Sequence, residues 1–166
     1  MPFRTADLCD HFAGMLWIAE KTFVDFGGTP IFSGAIETVR VFEDNSRVRE
    51  CVGRTGGGKV LVVDGGGSMR RALLGGNLAE NAVANGWSGL VINGCIRDSA
   101  EIGGMALGVK ALGTHPQKTA RLGMGDHNVP VRFAGVTFRP GMFVYADEDG
   151  IVASERALEL PDAGGA

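Results

Sequence analysis

Two short apolar runs, KVLVVD at 59–64 and GLVING at 89–94, each flanked by glycine, leave the chain few folds to choose from. Runs of this length, rich in Val, Leu and Ile, fit strands covered on both faces, as in a parallel sheet. Between them LAENAVANGW reads as a helix: Asn77 followed by Glu80 makes a capping-box start, and Gly86 ends the element after Asn85. MRRALL, GGN, LAENAVANGW, GLVINGC and RDSAEI then follow as strand, loop, helix, strand and loop-to-helix, at the spacing of a βαβ unit. The expected class is α/β.

The flanks fit around that unit. Thr5 can cap a short helix over Ala6–Ala13, FGGTP at 26–30 breaks the chain, and IFSGAIETVRVF at 31–42 has the β-branched and aromatic content of a strand. EDNSRVRECV at 43–52 begins with capping residues and continues as a short helix. Beyond Gly108, KALGTHPQKT, VPVRF, GVTF, FVYAD and GIVAS read as an antiparallel β section, with turns at Pro140-Gly141 and at 147–150. The 27 glycines show no collagen-like period and fall between apolar runs, so they read as turns and not as disorder. No repeat, linker or shift of composition divides the chain. One α/β domain is expected over residues 1–160, with 161–166 as a frayed tail.

Several function classes are disfavoured. A net charge of −3 argues against nucleic acid or anionic membrane as the default partner, and there is no basic-aromatic strand of the RNA-binding kind. Cys9, Cys51 and Cys95 are odd in number with no C-x-x-C pair, which rules out a disulfide framework or zinc ribbon and suits a reducing compartment. The opening residues carry acids where a signal peptide needs an apolar stretch, and no run reaches the roughly eighteen apolar residues of a membrane span. A cytoplasmic protein is expected.

Some motifs tempt and fail. Gly53–Lys59 matches the first seven positions of a P-loop, but Val60 stands where a magnesium-binding Ser or Thr belongs, and a strand follows where a helix should. VLVVDGGGSMRRAL has a glycine-rich turn without the G-x-G-x-x-G pattern or an acidic ribose partner. Read on its own, that turn would open a helix, whereas in the run of elements MRRALL is a strand. Arg70-Arg71 beside it reads as a solvated face. His11, His115 and His127 are far apart, without zinc-ligand spacing, and read as surface or hydrogen-bonding residues.

Arg97, Asp98 and Glu101 are the candidate site. They directly follow a buried strand, at the carboxyl end where α/β proteins place ligands. Two readings stand side by side. Asp98 with Glu101 is a good capping box for the next helix. Alternatively Asp98 is a hard ligand for Mg²⁺ or Mn²⁺, Arg97 a bidentate clamp for a substrate carboxylate, and the amides of Gly75, Gly76, Asn77 and Leu78 an anion site at a helix start.

At these residues the sequence resembles a known family. The segments from VLVVDGGGSM through GGNLAENAVANGWSGLVINGCIRDSAEI, then LGVKALGTHPQKT and FAGVTFRPGMFVYADEDGIVAS, are similar to the family of the regulator of ribonuclease E activity A. That family includes metal-dependent 4-hydroxy-4-methyl-2-oxoglutarate aldolases. The likeness covers nearly the whole chain, including the early FGG and VFEDN segments. It implies a swivelling β/β/α domain of the phosphohistidine-domain type, assembled as a homotrimer with sites near subunit interfaces.

For the site, the resemblance implies that the Gly75–Leu78 loop binds a pyruvyl substrate through its amides. It further implies that Arg97 holds the substrate, Asp98 binds the divalent metal, and Glu101 makes a water-mediated contact just outside. Retro-aldol cleavage and oxaloacetate decarboxylation would share the site, with no Schiff-base lysine. A menaquinone-pathway methyltransferase reading, given to some sequences of this kind, finds no support in the glycine turn. Two departures place the chain between the family's branches. The aldolases carry an aspartate about twenty residues before the Arg-Asp pair, where this chain has Gly76, and the best-known ribonuclease regulators lack the aspartate that this chain has at Asp98. The alternative to an enzyme is a protein that binds and inhibits ribonuclease E without chemistry.

Overall fold

In chain order, the computed structural model, which describes residues 3–160, begins with helix α1 (Thr5–His11) and the two-residue strands β1 (Trp17–Ile18) and β2 (Val24–Asp25). The long strand β3 (Phe32–Arg40) follows, then α2 (Ser46–Val52), β4 (Val60–Asp64), β5 (Ala72–Leu74), α3 (Gly76–Ala84) and β6 (Gly89–Ile96). Next come α4 (Ser99–Ile102), β7 (Gly108–Thr114), β8 (Asp126–His127), β9 (Val131–Phe133), β10 (Val136–Phe138), β11 (Phe143–Asp147) and β12 (Gly150–Ser154). The result is a mixed α/β fold with one large sheet and few helices.

The sheet is ordered β1-β12-β11-β3-β4-β6-β7-β2, with β5 added beside β6 and β8 beside β3. Its centre, β3, β4, β6 and β7, is parallel, while β11, β12 and β1 on one flank and β2 on the other run antiparallel to their neighbours. Alternation explains why the central strands read as unbroken apolar runs. Leu61, Val63, Leu90 and Ile92 face the layer of α2 and α3, whereas Val60, Val62 and Val91 face the opposite core of Val131, Phe133 and Phe138 from the β9–β10 hairpin. Both faces of the strands are thus covered.

Four local expectations are corrected. Thr5 does not cap α1; Arg4 holds that position, and the Thr5 amide and hydroxyl each donate to the Asp147 carboxylate at 2.7 Å, tying the helix to the β11–β12 turn. Asn77 does not cap α3 either: extended Gly75, two residues earlier, holds the cap position, and Asn77 lies inside the first turn. The glycine turn after β4 opens onto strand β5 and not onto a helix. Finally, KALGT lies in β7, parallel to β6, so the antiparallel section begins later than expected. The hairpin and the β11–β12 pair are antiparallel as expected. The 161–166 tail lies outside the described residues. Among those residues, no helix is long and apolar enough to cross a membrane.

Candidate active site

Strand pairing assembles the candidate site. Ala72 and Leu74 of β5 register against Cys95 and Ile96 of β6, and the Arg97 amide donates to the Leu74 carbonyl at 2.9 Å. The loop that leaves β5 at Gly75 therefore lies beside the one that leaves β6 at Arg97. Asp98 adopts a left-handed backbone (φ 56°, ψ 40°), which aspartate tolerates better than most residues. It stands at the cap position of α4, yet its side chain makes no capping bond. Asp98 Oδ2 instead accepts the Gly76 amide at 2.8 Å, across the two loops. The capping-box reading of Asp98 with Glu101 is thereby overturned.

The glycine pair exists for close approach. A Cβ on Gly75 would lie 3.1 Å from Asp98 Oδ2 and 3.2 Å from Arg97 Nε, and one on Gly76 would lie 2.5 Å from Glu101 Oε2. Arg97, Asp98 and Glu101 are thus all brought against Gly75-Gly76, with the Glu101 carboxylate filling the space that a side chain at 76 would claim. Two parts of the predicted anion loop change. The Gly76 amide is spent on Asp98, and the Leu78 side chain is buried in the core, so only its main chain is on offer. The first helical bond of α3 runs from the Ala79 amide to the Gly75 carbonyl, which leaves the Asn77 and Leu78 amides without helical acceptors.

The tempting motifs are structural. In the P-loop-like segment the Gly56 and Gly58 amides donate to the Asn85 and Gly86 carbonyls, and Lys59 Nζ donates to Glu37. A Cβ on Gly56 would strike the Trp87 ring at 2.6 Å, which accounts for the glycine. In the turn after β4, the Gly65 and Gly67 amides both donate to the Asn93 carbonyl and that of Gly66 to Asp64 Oδ1. These amides have no bond left for a cofactor phosphate. Arg70 pairs with Glu43 at 2.7 Å and lies over the Phe42 ring.

One cluster was invisible to spacing. Glu37 on β3, Cys51 on α2 and His127 on β8 bring their donor atoms within 4.8 Å of one another. Among the described residues, this is the group of three or more such side chains close enough to hold one metal ion, and Asp98 is not in it. Burial raises the Glu37 carboxyl, but Lys59, His127 and Arg54 outweigh it and hold the group below its ordinary range. Burial pushes the Cys51 thiol up to about 11. His127 reads from the sequence as a surface or hydrogen-bonding residue, and the β3–β8 pairing brings it within 3.3 Å of Glu37. His115 conforms to expectation, accepting the Gln117 amide at its Nδ1.

A family model described as RraA-like, aldolase/RraA, matches residues 5–153. The chain belongs to the RraA-like family. A relative from Pseudomonas aeruginosa, provisionally named 4-hydroxy-4-methyl-2-oxoglutarate aldolase, is 56% identical over 162 residues, covering 98% of this chain and 100% of its own. A solved structure from Geobacillus kaustophilus, described as an S-adenosylmethionine:2-dimethylmenaquinone methyltransferase, superposes with a TM-score of 0.92 at 51% identity, covering 94% of this chain and 97% of its own. That of the RNA-processing inhibitor RraA from Thermus thermophilus also gives 0.92, at 43% identity, covering 99% and 100%. The RraA-like chain described here shares their mixed α/β fold.

Proposed function

We propose that this RraA-like chain is a divalent-metal-dependent lyase that cleaves 4-hydroxy-4-methyl-2-oxoglutarate into two molecules of pyruvate and decarboxylates oxaloacetate at the same site. The observation that carries the reading is the convergence of Arg97, Asp98 and Glu101 on the Gly75-Gly76 pair. The names of the curated relatives support it. The donor set fits Mg²⁺ or Mn²⁺: these hard ions take carboxylate oxygens and keep several waters, and here the Asp98 carboxylate is fixed by a backbone amide while that of Glu101 lies against the same glycine pair.

Asp98 would hold the ion, its Oδ2 oriented by the Gly76 amide. When bound, such an ion supplies Lewis-acid stabilisation of the charge that develops on the substrate keto oxygen, worth several kcal/mol. Arg97 clamps the carboxylate next to the keto group and sets the bond to be broken in position. Glu101 takes the proton of the C4 hydroxyl as the C3–C4 bond breaks. The bond's electron pair becomes the pyruvate enolate while C4 becomes the keto carbon of the second pyruvate. The same proton can then return to C3. With oxaloacetate the departing fragment is CO₂, the electron pair of the broken bond becomes the same enolate, and C3 takes its proton from water. Glu101 thus stands in for the carboxylate that the aldolases carry at the position of Gly76.

The reading includes one swivelling domain over residues 1–160, a homotrimer and a cytoplasmic location. Pyruvate release from both substrates, with Mg²⁺ or Mn²⁺ and after EDTA, tests it. Release above the metal-only background that EDTA abolishes is expected; background rates on both substrates would reject the lyase. The second reading, a ribonuclease E inhibitor, is favoured by Gly76 and by the likeness to the Thermus RraA structure. It predicts inhibition of ribonuclease E at micromolar protein, and none at that concentration would sink it.

A further inference from the structure

We infer that Glu37, Cys51 and His127 form a binding site for Zn²⁺, separate from the proposed active site and independent of the lyase reading. The three residues share nothing with the Arg97–Asp98–Glu101 group. They come from three elements, β3, α2 and β8, and Cys51 is fully buried while Glu37 and His127 are partly so. A thiolate, an imidazole and a carboxylate are the donors that zinc accepts together, and the sulfur disfavours Mg²⁺ and Ca²⁺.

The geometry already surrounds a positive charge. Arg54 Nη2 lies 3.3 Å from Cys51 Sγ, 3.3 Å from His127 Nε2 and 3.6 Å from Glu37 Oε2, so a guanidinium nitrogen stands among all three donors. Its contacts conflict. Glu37 Oε2 also lies 3.3 Å from His127 Nε2. If that nitrogen carries a proton it suits Glu37 and opposes Arg54, and if it carries a lone pair it suits Arg54 and opposes Glu37. A metal ion in place of the guanidinium resolves the conflict, taking the imidazole lone pair and the carboxylate together. Tetrahedral zinc with bonds of about 2.0 Å to nitrogen and oxygen sets those atoms ~3.3 Å apart, as they stand here.

Two further features suit exchange. The Arg54 side chain is 54% exposed, so it can swing into solvent. Lys59 Nζ donates to the other carboxylate oxygen, Glu37 Oε1, at 3.1 Å, which orients Glu37 as an outer partner orients a metal ligand. On binding, the Cys51 thiol proton leaves to solvent, Arg54 moves out with its charge, and a water completes the tetrahedron.

The test is titration of EDTA-stripped protein with Zn²⁺ against a chromophoric chelator, paired with the absorption spectrum of the Co²⁺-loaded protein. One equivalent of zinc is expected to bind. Cobalt should show an intense sulfur-to-metal charge-transfer band and tetrahedral d–d bands. Cys51→Ser and His127→Gln should each weaken zinc binding at least ~100-fold. Arg54→Ala, which keeps every ligand, should tighten it roughly two- to fivefold, and Asp98→Asn should leave it unchanged. Should the Cys51 or His127 variants fail to fold, the cobalt spectrum of the unaltered chain and the Arg54→Ala titration decide. A cobalt spectrum without the sulfur band, or zinc binding lost in Asp98→Asn, would overturn the assignment.

Discussion

Gly76 and Glu101 are two halves of one feature. The carboxylate of one occupies the space in which the other has no side chain. Gly76→Asp alone therefore puts two carboxylates where one fits, and its melting temperature should fall by several degrees, about what 1–2 kcal/mol removes from a chain this size. Combined with Glu101→Ala, the same substitution should regain stability and restore part of the turnover that Glu101→Ala loses. A double-mutant cycle on stability and pyruvate release reads this directly; additive effects would contradict the shared space. Arg97→Lys keeps the charge but loses the planar fork, and should raise KM for 2-oxo acids roughly tenfold in steady-state kinetics. Arg97 and Asp98 were legible in the sequence because they follow a buried strand directly. The spacing of Asp98 and Glu101 suits a helix cap equally well, and only the left-handed backbone and the bond to Gly76 remove that alternative. The Glu37–Cys51–His127 cluster could not be read at all, since its members are neighbours only through strand and helix packing.

At the level of elements, α1 is held by the Asp147 carboxylate. Burial raises that carboxyl, but the Thr5 amide and hydroxyl and the amides of Asp149 and Gly150 outweigh it and hold it below its ordinary range. A carboxyl lowered in the folded state stabilises above its unfolded value of about 3.9 and loses that contribution as pH falls through the folded value. Asp147→Asn should therefore cost about 1–3 kcal/mol at neutral pH, as expected for a buried acceptor that loses charged bonds. It should also flatten the acid limb of melting temperature against pH; an unchanged acid limb would show that the clamp contributes nothing. The expectation that Thr5 caps a helix found the right residue and the wrong partner, because Asp147 is remote in the chain. The βαβ unit was legible, since hydrophobic runs covered on both faces need no long-range information to be seen. The two-residue strands β1, β2 and β8 were not, because each is defined by the long strand it pairs with.

For the whole molecule, the sheet brings unlike features to different places. Parallel pairing of β5 with β6 puts Arg97 and Asp98 beside Gly75, while β3, α2 and β8 gather the thiol, imidazole and carboxylate elsewhere. Two kinds of metal are thus expected to separate by chemistry: hard ions at Asp98, zinc at Cys51. The proposed homotrimer belongs to the same scale: light scattering should return three times 17.4 kDa, and a mass of 17.4 kDa would reject it. In the proposed reading Asp98 serves metal-dependent lyase chemistry. Its most direct test is the rate of pyruvate release from 4-hydroxy-4-methyl-2-oxoglutarate by Asp98→Asn and by the unaltered chain, both in saturating Mn²⁺. A loss of at least ~100-fold with the fold intact is expected, because asparagine can still accept the Gly76 amide but offers the ion no charge. Equal rates in the two proteins would contradict it.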